Sequence, residues 1–341
     1  MSKSIQVGIR AKPTSSSIHV WDIDPKESLI SLASNGAEFR FNRVFSPETQ
    51  TYEIYQEMAD DVVQGFMEGY NGTIFAYGST GSGKTFTMMG NNDHPGVTPL
   101  AVSHIFEHIQ QDTSREYVVG LSYFEIYNET IKDLLRPNSE RSKNIKFSQQ
   151  LATSYEDVMR SIQGAEENRA TGSTSMNEHS SRSHAIIRIA LESKSATNSN
   201  GSTLRSVLNL IDLAGSECQK DTNAEGSRQR EASNINRSLL ALSNIINALQ
   251  NGKQVVSYRD SKLTLYLQNS LGGNAQTVII CTINQENSQQ STSKSTLQFA
   301  IKAMKIKNTV KANEVKSDKT IIEEQKQEIQ RLKDEVERLK N

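Results

Sequence analysis

Eight consecutive residues, Gly78-Ser79-Thr80-Gly81-Ser82-Gly83-Lys84-Thr85, carry the densest chemistry in the chain. Their types and spacing match the GxxxxGK[ST] pattern of a phosphate-cradling loop. Glycines let backbone N–H groups turn inward around an anion, Lys84 supplies a cation for β- and γ-phosphates, and the Thr85 hydroxyl supplies a magnesium ligand. With average Gly and Lys frequencies, a chance match in a chain this long is on the order of one in a hundred. The competing reading is a plain glycine-rich turn. Context weakens it, because an apolar β-type run, Thr73–Tyr77, leads in and a helical pattern leads out.

Two further segments have the chemistry to complete such a site. Asp212-Leu213-Ala214-Gly215-Ser216-Glu217 ends an apolar run from Val207 to Leu213, which puts a carboxylate at a strand tip where it holds magnesium through water. Asn177-Glu178-His179-Ser180-Ser181-Arg182-Ser183-His184 gathers an amide, hydroxyls and a guanidinium ahead of another strand pattern, a composition able to close over a nucleotide. Alone, each segment reads as a polar loop with ordinary capping serines. Beside the phosphate loop, they read as parts of one ATP and Mg2+ site.

The elements that must position these groups follow from periodicity. Runs rich in branched and aromatic residues predict strands at Thr73–Tyr77, Tyr117–Tyr127, His184–Glu192, Ser206–Leu213 and Thr277–Ile283. A helix is predicted from Arg230 to Gln250, where Ile235, Leu239, Leu242, Ile246 and Leu249 form one apolar stripe before Gly252. Strands alternating with helices indicate a layered α/β fold with a largely parallel sheet. Lys194–Ser202 reads as an exposed hairpin loop.

Composition bounds the rest. The chain has 341 residues, 35% hydrophobic, enough for one large folded domain with an appendage. Cys218 and Cys281 are far apart with no metal-type spacing, so neither a disulfide framework nor a zinc site is expected. No run approaches a membrane span and Met1–Arg10 lacks a signal-peptide layout, so a soluble, cytoplasmic protein without a membrane partner is expected. The sequons at Asn71 and Asn128 are then ordinary chain. A net charge of −1 excludes a globally basic nucleic-acid binder; an acidic partner must meet a local basic patch. Near the C-terminus, Ile322, Ile329 and Val336 recur at seven-residue spacing, with Gln325, Leu332 and Leu339 three residues on. That is the seam of a coiled coil starting at about residue 319, the alternative being a solvated charged helix.

The phosphate loop, the two polar segments and four other stretches together resemble kinesin motor domains from Ser4 to Val315. Those stretches are Gly69-Tyr70-Asn71-Gly72-Thr73-Ile74-Phe75-Ala76-Tyr77-Gly78, Glu125-Ile126-Tyr127-Asn128-Glu129, Tyr258-Arg259-Asp260-Ser261-Lys262-Leu263-Thr264 and Ser270-Leu271-Gly272-Gly273-Asn274. The segments Tyr123–Leu135 and Ile279–Ile283 look most like centromere-associated (CENP-E-type) kinesins. The resemblance implies a P-loop NTPase fold with a central mixed sheet of about eight strands and three helices on each face. It implies a motor domain over 1–306, a neck linker over 307–318 and a coiled-coil neck over 319–341, which would make the longer chain a homodimer.

The resemblance also assigns roles. Arg10, Pro13 and Phe86 look like the adenine platform; Gly78 to Thr85, Asn177 and Ser180 surround the phosphates. Ser181 resembles the serine that joins Thr85 and Asp212 around magnesium and positions water, and the Gly215 amide senses the γ-phosphate. Arg182 and Glu217 look like a closing salt bridge, with Glu217 accepting a proton through a water relay. Lys220, Arg228, Arg230, Arg259 and Lys262 resemble microtubule contacts. Ile306, Asn308, Val310 and Asn313 resemble the docking positions of the neck linker, Asn313 latching near Gly69. The implied activity is a plus-end-directed, microtubule-stimulated ATPase in the cytoskeleton, with chromosome or spindle movement as its setting; the other reading is a nucleotide-cycling tether.

Departures from the family pattern are specific. Lys12, Asn42 and Cys218 replace an arginine, an aspartate and a basic residue, at positions expected to stand clear of phosphate. The chain is short between Ile145 and Leu151, Leu265 stands where an arginine is usual, and few residues precede the first strand, so the cover strand is expected to be stunted. These last three bear on track affinity and force.

Overall fold

The computed structural model describes residues 1–14, 19–136, 148–171, 181–196, 202–217, 227–253 and 255–315, with scattered positions from 326 to 338. In the helix over 227–250, side chains are described from 237 onward. The strands in chain order are β1 Ser2–Ser4, β2 Gln6–Ala11, β3 Trp21–Asp24, β4 Leu29–Leu32, β5 Glu38–Arg40, β6 Arg43–Phe45, β7 Gly72–Tyr77 and β8 Arg115–Tyr127. They continue with β9 Thr130–Asp133, β10 Gln150–Ala152, β11 His184–Ser195, β12 Thr203–Asp212, β13 Gln276–Ile283, β14 Lys307–Thr309 and β15 Glu314–Val315. The helices are α1 Thr51–Ile54, α2 Asp60–Met67, α3 Lys84–Met88, α4 Val97–Gln111, α5 Tyr155–Thr171, α6 Ser227–Gln250, α7 Lys262–Tyr266 and α8 Gln290–Ala303.

All six residues of β7 are buried, because this strand lies mid-sheet with helices on both faces. Ile74 points to one face, packing with Val63 and Phe66 of α2, Val102 and Ile105 of α4 and Ile162 of α5. Phe75 points to the other, with Leu242 and Ile246 of α6, Leu263 of α7 and Leu297 of α8. The order β10-β8-β11-β12-β7-β13-β2-β6 forms the main sheet, to which β9 and β15 add. Strands β12, β7, β13, β2 and β6 run parallel to their neighbours in that half. The expected largely parallel sheet is therefore half right: β8, β10 and β11 pair antiparallel. The cause is the direct β11–β12 hairpin, which needs no crossover. Its ladder closes at Ser193 opposite Leu204, and residues 197–201 of the expected loop lie outside the described residues.

The two C-terminal strands are held separately, one in a two-stranded sheet of its own and one on the main sheet. β14 pairs with β1, so the cover strand is present though only three residues long, and β15 pairs with the start of β12. Asn308 is the buried pin of this segment: its amide NH2 donates to Ser270 O, Ala275 O and Thr277 Oγ1, and its Oδ1 accepts Gly272 N–H at 2.7 Å. Asn313 donates to Gly69 O and Asn71 Oδ1, while Asn274 donates to its Oδ1. Ile306 and Val310 are buried beside them. Asn42 has a structural task, its Oδ1 accepting Val7 N–H at 2.8 Å. Of the coiled-coil seam, Ile322, Gln325, Ile329 and Leu339 lie outside the described residues; Leu332 and Val336 are each 50% exposed.

Asn308→Ala removes a fully satisfied buried amide and strands the Gly272 N–H, at a cost of about 1–3 kcal/mol. Hydrogen exchange should speed up across residues 307–315 and at Gly272 while α4 and α5 keep their protection. Unchanged exchange in 307–315 would show that Asn308 is not the pin.

Candidate nucleotide site

The cradle sits at the carboxyl end of β7, where the chain turns from strand into α3. Gly81 and Gly83 adopt φ of 73° and 104°, values that side chains disfavour, and a Cβ on Gly78 would lie 2.4 Å from Thr282 O. Beneath the loop, the Ser82 hydroxyl donates to Ser79 O and lies 2.6 Å from Thr282 Oγ1, which sets its curvature. Lys84 is buried with its ammonium donating to Ser79 O at 2.9 Å. Burial lowers its pKa while Asp212 and Glu217 oppose the shift. A buried cation directed into a loop of inward amides matches a polyphosphate.

Asp212 is held level with Ala76 by the parallel β12–β7 register, two residues before the cradle begins. Thr85 donates its hydroxyl to Asp212 Oδ2 at 2.5 Å, and Asp212 Oδ1 is buried without a hydrogen-bond partner. Burial raises the pKa of this carboxyl, so the charged form calls for a cation. Among the described residues no cluster of three His, Cys, Asp or Glu side chains exists. Thr85 and Asp212 therefore fit magnesium, held with phosphate oxygens and water rather than by a protein cage.

The two polar segments meet here. Gly215 N–H donates to Ser181 O, Ser216 N–H to Gly78 O, and Glu217 Oε2 accepts Thr80 N–H at 2.8 Å. In this arrangement the Gly215 amide, expected to sense a γ-phosphate, donates to Ser181 O, and Glu217, expected to close on Arg182, accepts from the cradle backbone. Arg182 is half-buried two residues before β11. Asn177 and Ser180 lie outside the described residues.

A cavity of about 220 Å³ opens beside the loop, lined by Arg10, Lys12, Pro13, Gly83, Phe86 and His94 among others. The Arg10 guanidinium lies 5.1 Å from the Phe86 ring centroid and donates to Thr87 Oγ1; burial lowers its pKa to about 10. A flat cation over an aromatic ring, next to a proline, suits a purine base. The Lys12 ammonium donates to Gly81 O at 2.8 Å, a contact with the cradle backbone that no motif marks. His94, Gln50 and Thr49 also line the cavity, and no motif marked them.

Away from these motifs in sequence, Arg259 is exposed and Lys262 half-buried at the start of α7. Lys220 lies outside the described residues, as do the side chains of Arg228 and Arg230. Leu265 is 44% exposed on α7. The β8–β9 turn holds Asn128 and Glu129 at φ of 51° and 56°, and Glu129 Oε2 accepts the Lys262 N–H at 2.8 Å, capping α7. The described residues contain no helix long and apolar enough to cross a membrane.

Comparison with known proteins agrees with this geometry. The kinesin motor domain family matches residues 16–306. A kinesin-like protein of Arabidopsis thaliana, KIN-7O, is 40% identical over 96% of the chain. Human centromere-associated protein E is 42% identical over 91%. The chain spans 28% of the first relative's length and 12% of the second's. A solved structure of a fast kinesin superposes with a TM-score of 0.84 at 36% identity, covering 92% of this chain and 95% of that one. A cradle on β7, an acid level with it on β12, two polar loops closing on both and a family match across most of the chain lead to one conclusion: the chain belongs to the kinesin motor domain family, whose members are microtubule-stimulated ATPases.

Proposed function

We propose that the chain is a plus-end-directed microtubule motor that couples Mg-ATP hydrolysis to stepping, works in the cytoplasmic cytoskeleton as a dimer in its longer form, and moves chromosomes or spindle components. The observation that carries this reading is the docking of residues 307–315 at the base of the strand that bears the cradle. Asn313 bonds Gly69 and Asn71, immediately before β7. A lever seated there responds to the nucleotide through one short, rigid strand.

In this reading Arg10, Pro13 and Phe86 hold the base, while the cradle amides and Lys84 hold the phosphates. Thr85, Ser181 and, through water, Asp212 would hold magnesium, which would supply charge neutralisation at the phosphates when bound. Hydrolysis is an in-line attack of water, promoted by positioning and electrostatics without a covalent intermediate. Glu217 must leave Thr80 N–H and pair with Arg182 to order that water and relay its proton. Arg259 and Lys262, with Lys220, Arg228 and Arg230, supply the basic surface for acidic tubulin. Exposed Leu265 in that surface favours a second reading, a tether that cycles nucleotide without useful stepping.

A gliding assay on the chain fused to a dimerising coiled coil separates the two. Directed filament movement supports the motor. Turnover stimulated by microtubules without movement supports the tether, and no stimulation rejects both.

Glu217→Ala should keep ATP affinity yet lower stimulated turnover by at least about a hundredfold, as expected when a proton relay and a loop latch go together. Lys84→Ala should instead lose nucleotide binding, read with a fluorescent ATP analogue. Normal turnover in the first, or wild-type affinity in the second, would overturn these roles.

Leu265→Arg should tighten microtubule binding, since the position is already open to solvent. An exposed charge pair is worth roughly 0.2–1 kcal/mol, so half-saturating tubulin should fall by about 1.4- to 5-fold at low salt. The gain should shrink as ionic strength rises. ATPase titrations at two salt concentrations, with a melting curve, test it; unchanged half-saturation in a folded variant refutes it.

A further inference from the structure

His184 joins three parts of the domain through one buried ring. It opens β11, directly after Arg182 and Ser183, and is 2% exposed. Its Nδ1 accepts the Ala214 N–H at 3.0 Å, and its Nε2 lies 2.8 Å from Ser238 Oγ on α6. A backbone amide nitrogen has only a hydrogen to offer, so Nδ1 must be the bare nitrogen. The proton therefore resides on Nε2 and is donated to Ser238. The ring stays neutral, because burial and the nearby cations Lys84 and Arg169 push its pKa down to about 3.

The neighbours of these contacts belong to the two loops proposed to close on the phosphates. Ala214 precedes Gly215, whose own N–H is held by Ser181 O. Two successive amides of the β12 loop are thus fixed by residues on either side of Arg182. On the far side, Ser238 is 3% exposed and sits next to Leu239, whose side chain packs in the core with Phe124 and Ile186. Either loop can shift only if the imidazole tilts, and a tilt of a ring with two directed bonds moves its partner on α6.

We propose that His184 is a positioning residue, fixed as the Nε2–H tautomer, which links the setting of the two phosphate loops to α6 through Ala214 and Ser238. This deepens the motor reading and rests on it, since α6 packs with α7, the short helix that begins at Lys262 of the proposed basic surface. The rival reading is a satisfied core histidine that only supports folding.

The two readings part on substitutions that preserve one bond at a time. In His184→Asn the amide oxygen takes the place of Nδ1 and keeps Ala214, but nothing reaches Ser238. In Ser238→Ala the same link is cut from the other end. Both variants should lose microtubule stimulation by about fivefold or more, the range of a typical coupling between sites. Basal turnover and the ATP KM of Ser238→Ala should remain within about twofold of wild type. The double variant should be no worse than either single one, because both remove the same bond. A structural role would instead lower stability and leave stimulation intact. If His184→Asn does not fold, Ser238→Ala alone decides.

Selective 15N-histidine labelling gives a readout independent of microtubules. The imidazole of His184, assigned by its loss in His184→Asn or in His184→Gln, should show a protonated Nε2 and a bare Nδ1, unchanged from pH 6 to pH 8. A protonated Nδ1, or Ser238→Ala with wild-type stimulation, overturns the proposal. If wild-type protein shows no stimulation, the motor reading fails separately, and the tautomer then judges the bridge.

Discussion

Parallel pairing of β7 between β12 and β13 is the constraint on which the site depends. It places Asp212 and Ile280 level with Ala76, and so sets the cradle, the acid and Thr282 at the carboxyl end of three neighbouring interior strands. A slip of one residue would turn Asp212 into the apolar layer and send Leu213 toward the magnesium position. Burial of Ile74 and Phe75 on opposite faces forbids that slip, because each anchors a separate core. The hydrophobic effect thus fixes polar chemistry here to within a hydrogen-bond length.

What was legible in the sequence was local or periodic. The cradle announces itself because its glycines, Lys84 and Thr85 act within one turn of chain. Strand centres and the stripe of α6 follow from apolar spacing. Lys12 on Gly81 and His94 in the base cavity were hidden, since their roles depend on segments that fold together from remote positions. Periodicity alone missed the antiparallel half of the sheet, because composition marks a strand but not its direction; the mixed sheet was expected only from the family resemblance, and it is what the structure has. The pairing of Glu217 with Thr80 was not readable either, because a loop carboxylate chooses among donors only after the chain is packed.

The C-terminal segment shows how few groups are needed to seat a strand. Two asparagines, 308 and 313, satisfy backbone and amide groups that the turns around Gly69 and Gly272 leave over. Each amide offers two donor hydrogens and an acceptor oxygen on separate atoms, where a serine hydroxyl has one donor hydrogen on its acceptor oxygen and leucine has neither. The short β1 then adds backbone bonds but no deep side chains, its residues being exposed. Affinity of the docked strand is therefore concentrated in side-chain amides, with the ladder as a supplement.

The β8–β9 turn carries a mechanical meaning. Glu129 occupies a left-handed conformation that is costly for a residue with a side chain, and from there its carboxylate grips the first amide of α7. α7 is too short to hold itself in place, so its attachment is to the sheet's rigid hairpin. In the motor reading proposed above, a pull applied to the α7 surface would be shared with β8, a thirteen-residue strand. The load would enter the body as tension along a strand, leaving the small helix as a handle rather than a hinge.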